Sequence, residues 1–452
     1  HSFIPQVLKA GVRVLVTERP VEEELKNSGL SEDELKQVTV VMVEEGRHAL
    51  ALLSAARFDH PAKKLVMIGV TGTKGKTTTT HMIRAILLAA GKKVGMIGTT
   101  GTVIGDVVTP TLNTTPESYE LHQAFAQMVE AGCEYAVMEV SSQGIKMHRT
   151  DGLYFNYAIF TNISPDHIGP GEHADFEEYL YYKTRLLNMC GIGLVNKDDE
   201  HAPQIIKAAN CELYTYSEES KEADFVASDI RYVSQPDFVG TEFHISGKYD
   251  MEVRLGIPGL FNVVNALAAV SVCSFLGLDQ ARISHALENI RVNGRMEIVY
   301  TSERCTVLVD YAHNAVSMES LLSTLRDYKP KRLVCVFGCG GNRSKDRRYS
   351  MGEIGGKMAD LSIITADNSR YEKVEDIIAD IRGSIEKTGG KFIEIPDRRE
   401  AIRYSILHAQ PGDMVAVIGK GHEDYQEING VRHHFLDREV IEETVKELGE
   451  KA

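Results

Sequence analysis

Residues able to handle a polyphosphate lie at 69–78, where Gly69-Val70-Thr71-Gly72-Thr73-Lys74-Gly75-Lys76-Thr77-Thr78 joins an apolar run to a helical pattern. Glycines at such a junction let backbone N–H groups turn inward toward phosphate. The N-terminus of the following helix adds partial positive charge. Lys76 would reach the β- and γ-phosphates, and the Thr77 hydroxyl would ligate Mg²⁺. The strict loop pattern G-x-x-x-x-G-K-[ST] is not met, because Val70 stands where its first Gly belongs. A ligand-free turn is the alternative, opposed by the agreement of strand, loop, Lys-Thr pair and helix. Further along, Glu139 follows the apolar run Tyr135–Met138. A carboxylate at the C-terminal end of a strand sits where an open α/β sheet presents ligands, which makes it a candidate Mg²⁺ ligand; on residue type alone it is as readily a cap. The pair Asp166-His167 reads as a loop hydrogen bond or a metal site. Lys183, in a helix expected over 175–189, reads by itself as a surface residue.

The elements that must carry these residues are β-α units. Residues 4–8 read as a helix, 12–16 as a strand, 38–43 as a strand and 46–56 as an amphipathic helix, a small α/β piece ending near His60-Pro61. A strand at 65–70, the loop, a helix at 77–90 closed by Gly91 and a strand at 93–97 form a β-loop-α-β unit of a parallel sheet. Short strands follow at 135–138, 157–160 and 193–195. Residues 223–256 alternate and are rich in Val, Tyr, Phe and Thr, which predicts antiparallel strands. Helices are expected at 262–277 and 278–290. Strands at 306–309, 332–337, 361–365, 391–394 and 414–418, with helices between, make a last α/β domain. The expected boundaries are 1–61, 62–292 and 293–452.

Composition narrows the function classes. With 452 residues the chain is long enough for two to four domains and needs no disulfide or structural metal to hold a core. Apolar residues at 43% and charged residues at 25% exclude wholesale disorder. A net charge of −14, from 64 acids against 50 bases, argues against general binding to nucleic acid or to anionic membranes. No apolar run approaches the ~18–20 residues that span a bilayer, so stable membrane insertion is not expected. Residues 1–20 lack the n- and h-regions of a signal peptide. Seven cysteines without C-x-x-C spacing read as reduced thiols of a cytoplasmic protein.

The segment Gly72–Thr78, GTKGKTT, resembles the ATP loop of the Mur ligases, which make peptidoglycan precursor peptides and whose superfamily includes the folylpolyglutamate synthetases. Further likenesses cover almost the whole chain. Glu139-Val140-Ser141-Ser142 resembles the family's E-V-S-S motif, and residues 161–167 its T-N-x-x-x-D-H segment. The resemblance implies ATP on Gly72, Thr73, Lys74, Gly75, Lys76, Thr77 and Thr78. It implies two Mg²⁺ sites, drawn from Thr77, Glu139, His167 and a carbamylated Lys183, with Lys76, Glu139, His167 and Lys183 as the catalytic set. A carbamate turns the lysine cation into an oxygen ligand suited to a hard metal. Asn262, Arg295 in a G-R-M-E-like segment and Asp310 in Asp310-Tyr311-Ala312-His313 match positions that close the ATP site across domains. Thr114, Thr115, Ser141 and Arg149 match contacts to the UDP-sugar peptide. The N-terminal piece resembles the middle of the uridine-binding domain, so part of that domain is expected to be absent.

Residues 367–370 and 419–423 resemble the D-N-P-R and G-K-G-H-E motifs of the tripeptide-forming branch. In that branch's diaminopimelate-adding form, the Arg pairs with the distal carboxylate of the incoming amino acid. The resemblance implies amino-acid contacts at Arg348, Asp367, Asn368, Ser369, Arg370, Gly419 and Glu423. A diamino dicarboxylic acid needs a guanidinium for its carboxylate and a carboxylate for its ammonium. Ser369 stands in place of the motif's Pro, which predicts a looser turn before Arg370. The expectation is an α/β, three-domain Mur ligase architecture and an ATP-dependent amide ligase acting through an acyl phosphate. Its substrates would be UDP-N-acetylmuramoyl dipeptide and meso-diaminopimelate, and the chain is expected to be monomeric. The rivals are a ligase adding L-lysine or another amino acid, a folylpolyglutamate-synthetase-like ligase, and a nucleotide-binding switch without catalysis.

Overall fold

The computed structural model describes residues 1–166 and 168–449, so the expectation for His167 lies outside the described residues. The chain divides into two compact units, one of residues 1–80 and 91–215, the other of 81–90 and 216 onward.

The first unit opens with a parallel pair, β1 (Val14–Thr17) and β2 (Thr39–Met42). Its own small core is Ile4, Leu8, Leu15 and Val21. A larger sheet follows, built on β3 (Val66–Thr71), β4 (Val94–Gly98), β5 (Gly101–Ile104), β6 (Val107–Thr109), β7 (Tyr135–Glu139), β8 (Phe155–Phe160), β9 (Cys190–Asn196) and β10 (Glu212–Ser217). Their spatial order is β10-β9-β8-β3-β7-β4-β5-β6. The strand β3 is central and apolar along its length, as a parallel strand covered on both faces must be. It pairs in parallel with β7 and β8, with Val70 opposite Glu139 and Thr71 opposite Phe160. That register brings the chain leaving β3, β7 and β8 to one edge of the sheet. The helix Lys76–Ala89 starts directly after the glycine loop and ends before Gly91, whose φ of 78° is the left-handed conformation a helix C-cap favours. The core beneath includes Met67, Phe125, Phe155, Phe160 and Leu186. Each such side chain contributes roughly 1.5–3 kcal/mol on burial. Phe155 lies so near Gly69 that an added Cβ would come within 2.8 Å of the ring.

In the second unit the alternating segment forms the antiparallel strands β11 (Phe225–Gln235), β12 (Phe238–Gly247) and β13 (Met251–Leu255). The helix Leu260–Phe275 follows; it is the most apolar of the chain and correspondingly buried. A second sheet contains β14 (Glu297–Thr301), β15 (Cys305–Asp310), β16 (Arg332–Phe337), β17 (Leu361–Ile364), β18 (Phe392–Glu394) and β19 (Asp413–Ile418), in the order β14-β15-β19-β16-β17-β18. All of its pairs are parallel except the edge pair β14–β15. The strands expected from apolar runs thus appear within a residue or two of the expected bounds, except that β9 starts three residues before the expected 193. The hairpin of β20 (Tyr425–Ile428) and β21 (Val431–His434) was not among the expected elements. Nor were the short helices Glu22–Lys26 and Glu32–Leu35. No helix among the described residues is long and apolar enough to cross a membrane.

Candidate active site

The glycine loop is latched to the chain leaving β8. The Thr73 amide donates to the Asn162 carbonyl at 2.9 Å, and the Lys74 amide to Asn162 Oδ1 at 2.9 Å. Thr161 Oγ1 donates to the carbonyls of Thr71 and Lys74 at 3.1 and 2.7 Å. Gly72 has φ 145°, and a Cβ there would fall 1.9 Å from Thr161 Oγ1, so no other residue fits. Thr78 is buried behind the loop. Lys76 Nζ donates to the carbonyls of Gly72 and Thr73 at 2.8 and 3.1 Å, which folds its ammonium back over the loop.

Glu139, at the end of β7, is 1% exposed. Its Oε1 accepts from Thr77 Oγ1 at 2.9 Å and from the Thr99 amide at 2.9 Å; Thr99 Oγ1 lies 3.3 Å from Oε2. A buried carboxylate beside a threonine hydroxyl at the mouth of a phosphate loop is a hard oxygen set, the donor type Mg²⁺ takes. These two residues therefore fit the ion that the loop implies. Gly98 makes room for the carboxylate, since a Cβ would sit 2.3 Å from Glu139 Oε1.

Lys183 corrects the surface assignment: it is 2% exposed, in the helix Phe176–Thr184. Its Nζ donates to the Gly72 carbonyl at 2.7 Å and lies 4.6 Å from the Tyr179 ring centroid. Burial, with Lys76 adding repulsion, holds its ammonium well below the usual lysine range. The outward reading failed because the face a lysine takes depends on the loop packed against it. Tyr179 OH in turn lies 3.1 Å from Thr73 Oγ1. Burial raises that phenol to about 12, so it stays protonated and can serve as a donor.

The residues expected to hold the sugar peptide meet behind Glu139. Thr115 Oγ1 donates to the Glu139 carbonyl at 3.0 Å and accepts from the Ser141 amide at 3.0 Å. Arg149 is buried, with Nη1 on the Thr115 carbonyl at 3.1 Å and Nη2 on Glu117 Oε1 at 2.7 Å. Thr114 Oγ1 lies 3.1 Å from Thr99 Oγ1. Thr99, Asn162 and Tyr179 were not singled out in the sequence as site residues. Threonine and asparagine in loops carry no signal of their own, and the T-N segment drew attention for its histidine.

The second unit gathers the segments 338–343, 367–370 and 419–423 at the C-terminal ends of its strands. Arg370 Nη1 donates to the Gly341 carbonyl at 2.8 Å, and the Gly341 amide donates to the Asn368 carbonyl at 2.8 Å. Asn368 Nδ2 donates to Glu423 Oε2 at 2.9 Å; Lys420 Nζ, fully buried, lies 3.3 Å from the same oxygen. Arg370 takes a left-handed φ of 51°. Its turn is not loose despite Ser369: Ser369 is buried, the Tyr371 amide donates to Asn342 Oδ1 at 3.1 Å, and the Arg370 amide donates to the Glu427 carbonyl at 3.0 Å. Hydrogen bonds from the neighbouring loops do what proline does elsewhere. Asp367 leaves room only for glycine at 419, where a Cβ would lie 2.7 Å from its Oδ2. Arg348 is 1% exposed and forks onto Glu372 at 2.8 and 2.9 Å and Asp380 at 2.9 Å.

Beside these, Asp310 Oδ2 accepts the Met296 amide and Oδ1 the Ala312 amide, each at 2.7 Å. Burial nonetheless pushes its carboxyl above the usual range. The Arg295 guanidinium sits 4.9 Å over the Tyr311 ring, and Asn262 Nδ2 donates to the Pro258 carbonyl at 2.7 Å. Arg398, not foreseen, is wholly buried in a bidentate pair with Asp437 at 2.7 and 2.7 Å. Two further N–H groups reach the carbonyls of Ala366 at 3.2 Å and Ile418 at 3.0 Å, the residues just before the segments 367–370 and 419–423.

A phosphate loop at the carboxyl edge of a parallel sheet, with a buried carboxylate on its threonine, defines a nucleotide-dependent α/β enzyme. Residues 70–273 match the Mur ligase middle domain and residues 294–421 the Mur ligase glutamate ligase domain. A UDP-N-acetylmuramoyl-L-alanyl-D-glutamate–2,6-diaminopimelate ligase of Caldanaerobacter subterraneus subsp. tengcongensis is 38% identical over 98% of this chain and 89% of its own length. A ligase of the same description from Clostridium acetobutylicum is 39% identical over 99% and 90%. A solved structure bearing that description superposes with a TM-score of 0.73 at 30% identity, over 97% of this chain and 92% of that one. The chain belongs to the Mur ligase family, and it is an ATP-dependent ligase.

Proposed function

We propose that this ligase joins meso-2,6-diaminopimelate to UDP-N-acetylmuramoyl-L-alanyl-D-glutamate, forming ADP and phosphate, in the building of peptidoglycan precursors. The reading rests on one observation above the others: a guanidinium and a carboxylate, Arg370 and Glu423, stand in one hydrogen-bonded cluster through Gly341 and Asn368. Such a pair suits the distal carboxylate and ammonium of a diamino dicarboxylic acid. L-Lysine carries the ammonium alone and offers no carboxylate to Arg370, whose nearest acidic neighbour in the protein is Glu427, with Nε 3.6 Å from Oε2. The relatives named above point to the same amino acid.

In the mechanism, the triphosphate lies on the amides of residues 72–78, with Lys76 leaving the Gly72 carbonyl to meet the β- and γ-phosphates. The acceptor carboxylate attacks the γ-phosphorus; the bond to the β-γ bridging oxygen breaks, leaving ADP and an acyl phosphate. The diaminopimelate amine then adds to the acyl carbon, and the tetrahedral intermediate expels phosphate as the amine proton leaves. Thr77 and Glu139 would hold Mg²⁺, which when bound would neutralise charge on the transferring phosphoryl group. Arg149, Thr115, Thr114 and Ser141 orient the sugar peptide. Arg348 braces the amino-acid pocket through Glu372, next to Asn342 and the Arg370 turn. Asp310, Arg295 and Asn262 belong to the nucleotide side of the second unit. Lys183, whose burial disfavours the ammonium, would add to CO₂ through its lone pair and lose a proton; the carbamate would then supply an oxygen donor, alongside His167, for a second Mg²⁺.

The test is ADP release with the UDP-sugar dipeptide and, in turn, meso-diaminopimelate, L-lysine or no amino acid. Turnover with diaminopimelate alone is expected. Equal turnover with L-lysine would sink the assignment of Arg370, and none with any acceptor would sink the substrate.

A further inference from the structure

Away from the phosphate loop, three residues of the first unit converge: His48 on the helix Gly46–Arg57, and His148 and Asp151 on the loop after the helix Ser142–Lys146. His48 Nδ1 lies 2.6 Å from Asp151 Oδ2, and His148 Nδ1 lies 2.7 Å from the same oxygen. All three potential ligand atoms fall within 4.8 Å of one another. His148 holds a left-handed backbone, φ 55°, an uncommon conformation for a residue with a side chain. The cations on either side do not compete for the carboxylate, because Arg47 and Arg149 both engage Glu117, at 3.2 and 2.7 Å.

We infer that His48, His148 and Asp151 form a binding site for a divalent transition metal such as Zn²⁺. Two imidazoles and one carboxylate are the donors such an ion takes in a three-ligand site with an open fourth position. They are the wrong set for Mg²⁺, which prefers oxygen throughout. The site is therefore chemically separate from the one at Thr77 and Glu139. Metal–ligand bonds of ~2.0–2.1 Å in tetrahedral geometry need the ligand atoms to spread by ~0.7 Å. Side-chain rotation at the partly exposed His48 and His148 allows this. Solvent reaches the cluster, which leaves an entry path and room for a water on the ion.

An ion here ties the helix 46–57 to the loop holding Arg149, which lies between two of its ligands. It follows that the metal lowers KM for the UDP-sugar peptide while leaving kcat unchanged. This consequence rests on Arg149 as a substrate contact; metal binding itself does not.

The experiment is a Co²⁺ titration of the full chain with Mg²⁺ in excess, read by visible absorption, followed by competition with Zn²⁺. One equivalent with d–d bands, displaced by Zn²⁺, is expected. Affinity should drop at least ~10-fold in His48→Gln and in Asp151→Asn, as losing even an outer-shell partner costs that much. Circular dichroism establishes that both variants are folded; His48 is exposed and its replacement disturbs no core. Absence of the bands in the wild type would mean a hydrogen-bonded latch without metal, and unchanged bands in both variants would place the ion elsewhere. Either result overturns the site. A bound ion with no change in KM would overturn the coupling to Arg149 alone.

Discussion

Lys76 and Lys183 share one acceptor: both Nζ atoms donate to the carbonyl oxygen of Gly72, at 2.8 and 2.7 Å. Two amines on a single carbonyl are not equivalent. Lys183 is the buried one, and its charged form is disfavoured by lost hydration and by Lys76. The pair thus separates into a half-buried amine at the loop and a buried one whose charged form burial disfavours. The Gly72 whose lack of a side chain admits Thr161 thus also offers one carbonyl to both lysines.

Lys76→Ala should lower kcat by ~10²-fold or more, the size of losing one preorganised charge stabiliser in a transition state. The protein should stay folded, because Lys76 is half-buried and its ammonium bonds backbone oxygens of its own loop. Steady-state ADP release and a thermal scan check both halves. A large drop in the midpoint would mean that Lys76 is structural.

Lys183 makes stability depend on pH with a definite sign. Its folded pKa is depressed, while in the unfolded chain it is about 10.4. Between those values the unfolded state binds more protons, so stability rises with pH. This contribution is complete above the unfolded pKa and is lost as pH falls through the folded one. In CO₂-free buffer, the midpoint difference between wild type and Lys183→Met should therefore grow as pH is raised. A flat difference would contradict a depressed folded pKa.

Glu139→Gln keeps the shape and the contact with Thr77 but removes the charge. The Mg²⁺ concentration for half-maximal activity should rise by ~10-fold or more, the direction expected when a hard cation loses an anionic oxygen ligand. A Mg²⁺ titration of activity decides; an unchanged requirement would move the ion away from Glu139.

Arg370→Ala should raise KM for diaminopimelate by ~10–100-fold, as loss of hydrogen bonds to a charged group costs about 1.5–3 kcal/mol. L-Lysine, without the distal carboxylate, should suffer no comparable penalty. Comparing kcat/KM for the two amino acids in wild type and variant is the check, and equal losses would make Arg370 a structural residue of its turn.

Arg398→Met strands Asp437 as a buried, unpaired charge and should cost ~3–5 kcal/mol of stability. Arg398→Lys should restore part of the stability but not the fork onto the Ala366 and Ile418 carbonyls. If the clamp positions the segments 367–370 and 419–423, this variant raises KM for the amino acid more than KM for ATP. Parallel rises in both would leave Arg398 a matter of stability only.

Much of this protein was legible in residue order. The loop 72–78, the strand ends bearing Glu139 and Asp310, and the C-terminal strands follow from local signals: apolar runs, glycines at positive φ and a Lys-Thr pair at a helix start. Even the overlooked hairpin at 425–434 carries a turn signal, Asn429-Gly430, both with positive φ. Tertiary structure decided what no spacing encodes. The burial of Lys183 depends on a carbonyl 111 residues away in sequence. The Thr99 amide reaches Glu139 because β4 and β7 lie side by side. Arg398 finds Asp437, and His48 finds Asp151, across long stretches of chain. Periodicity and turn chemistry are properties of neighbouring residues, so sequence reveals them. Whether a charged side chain meets water or a buried acceptor is set by elements that come together only on folding.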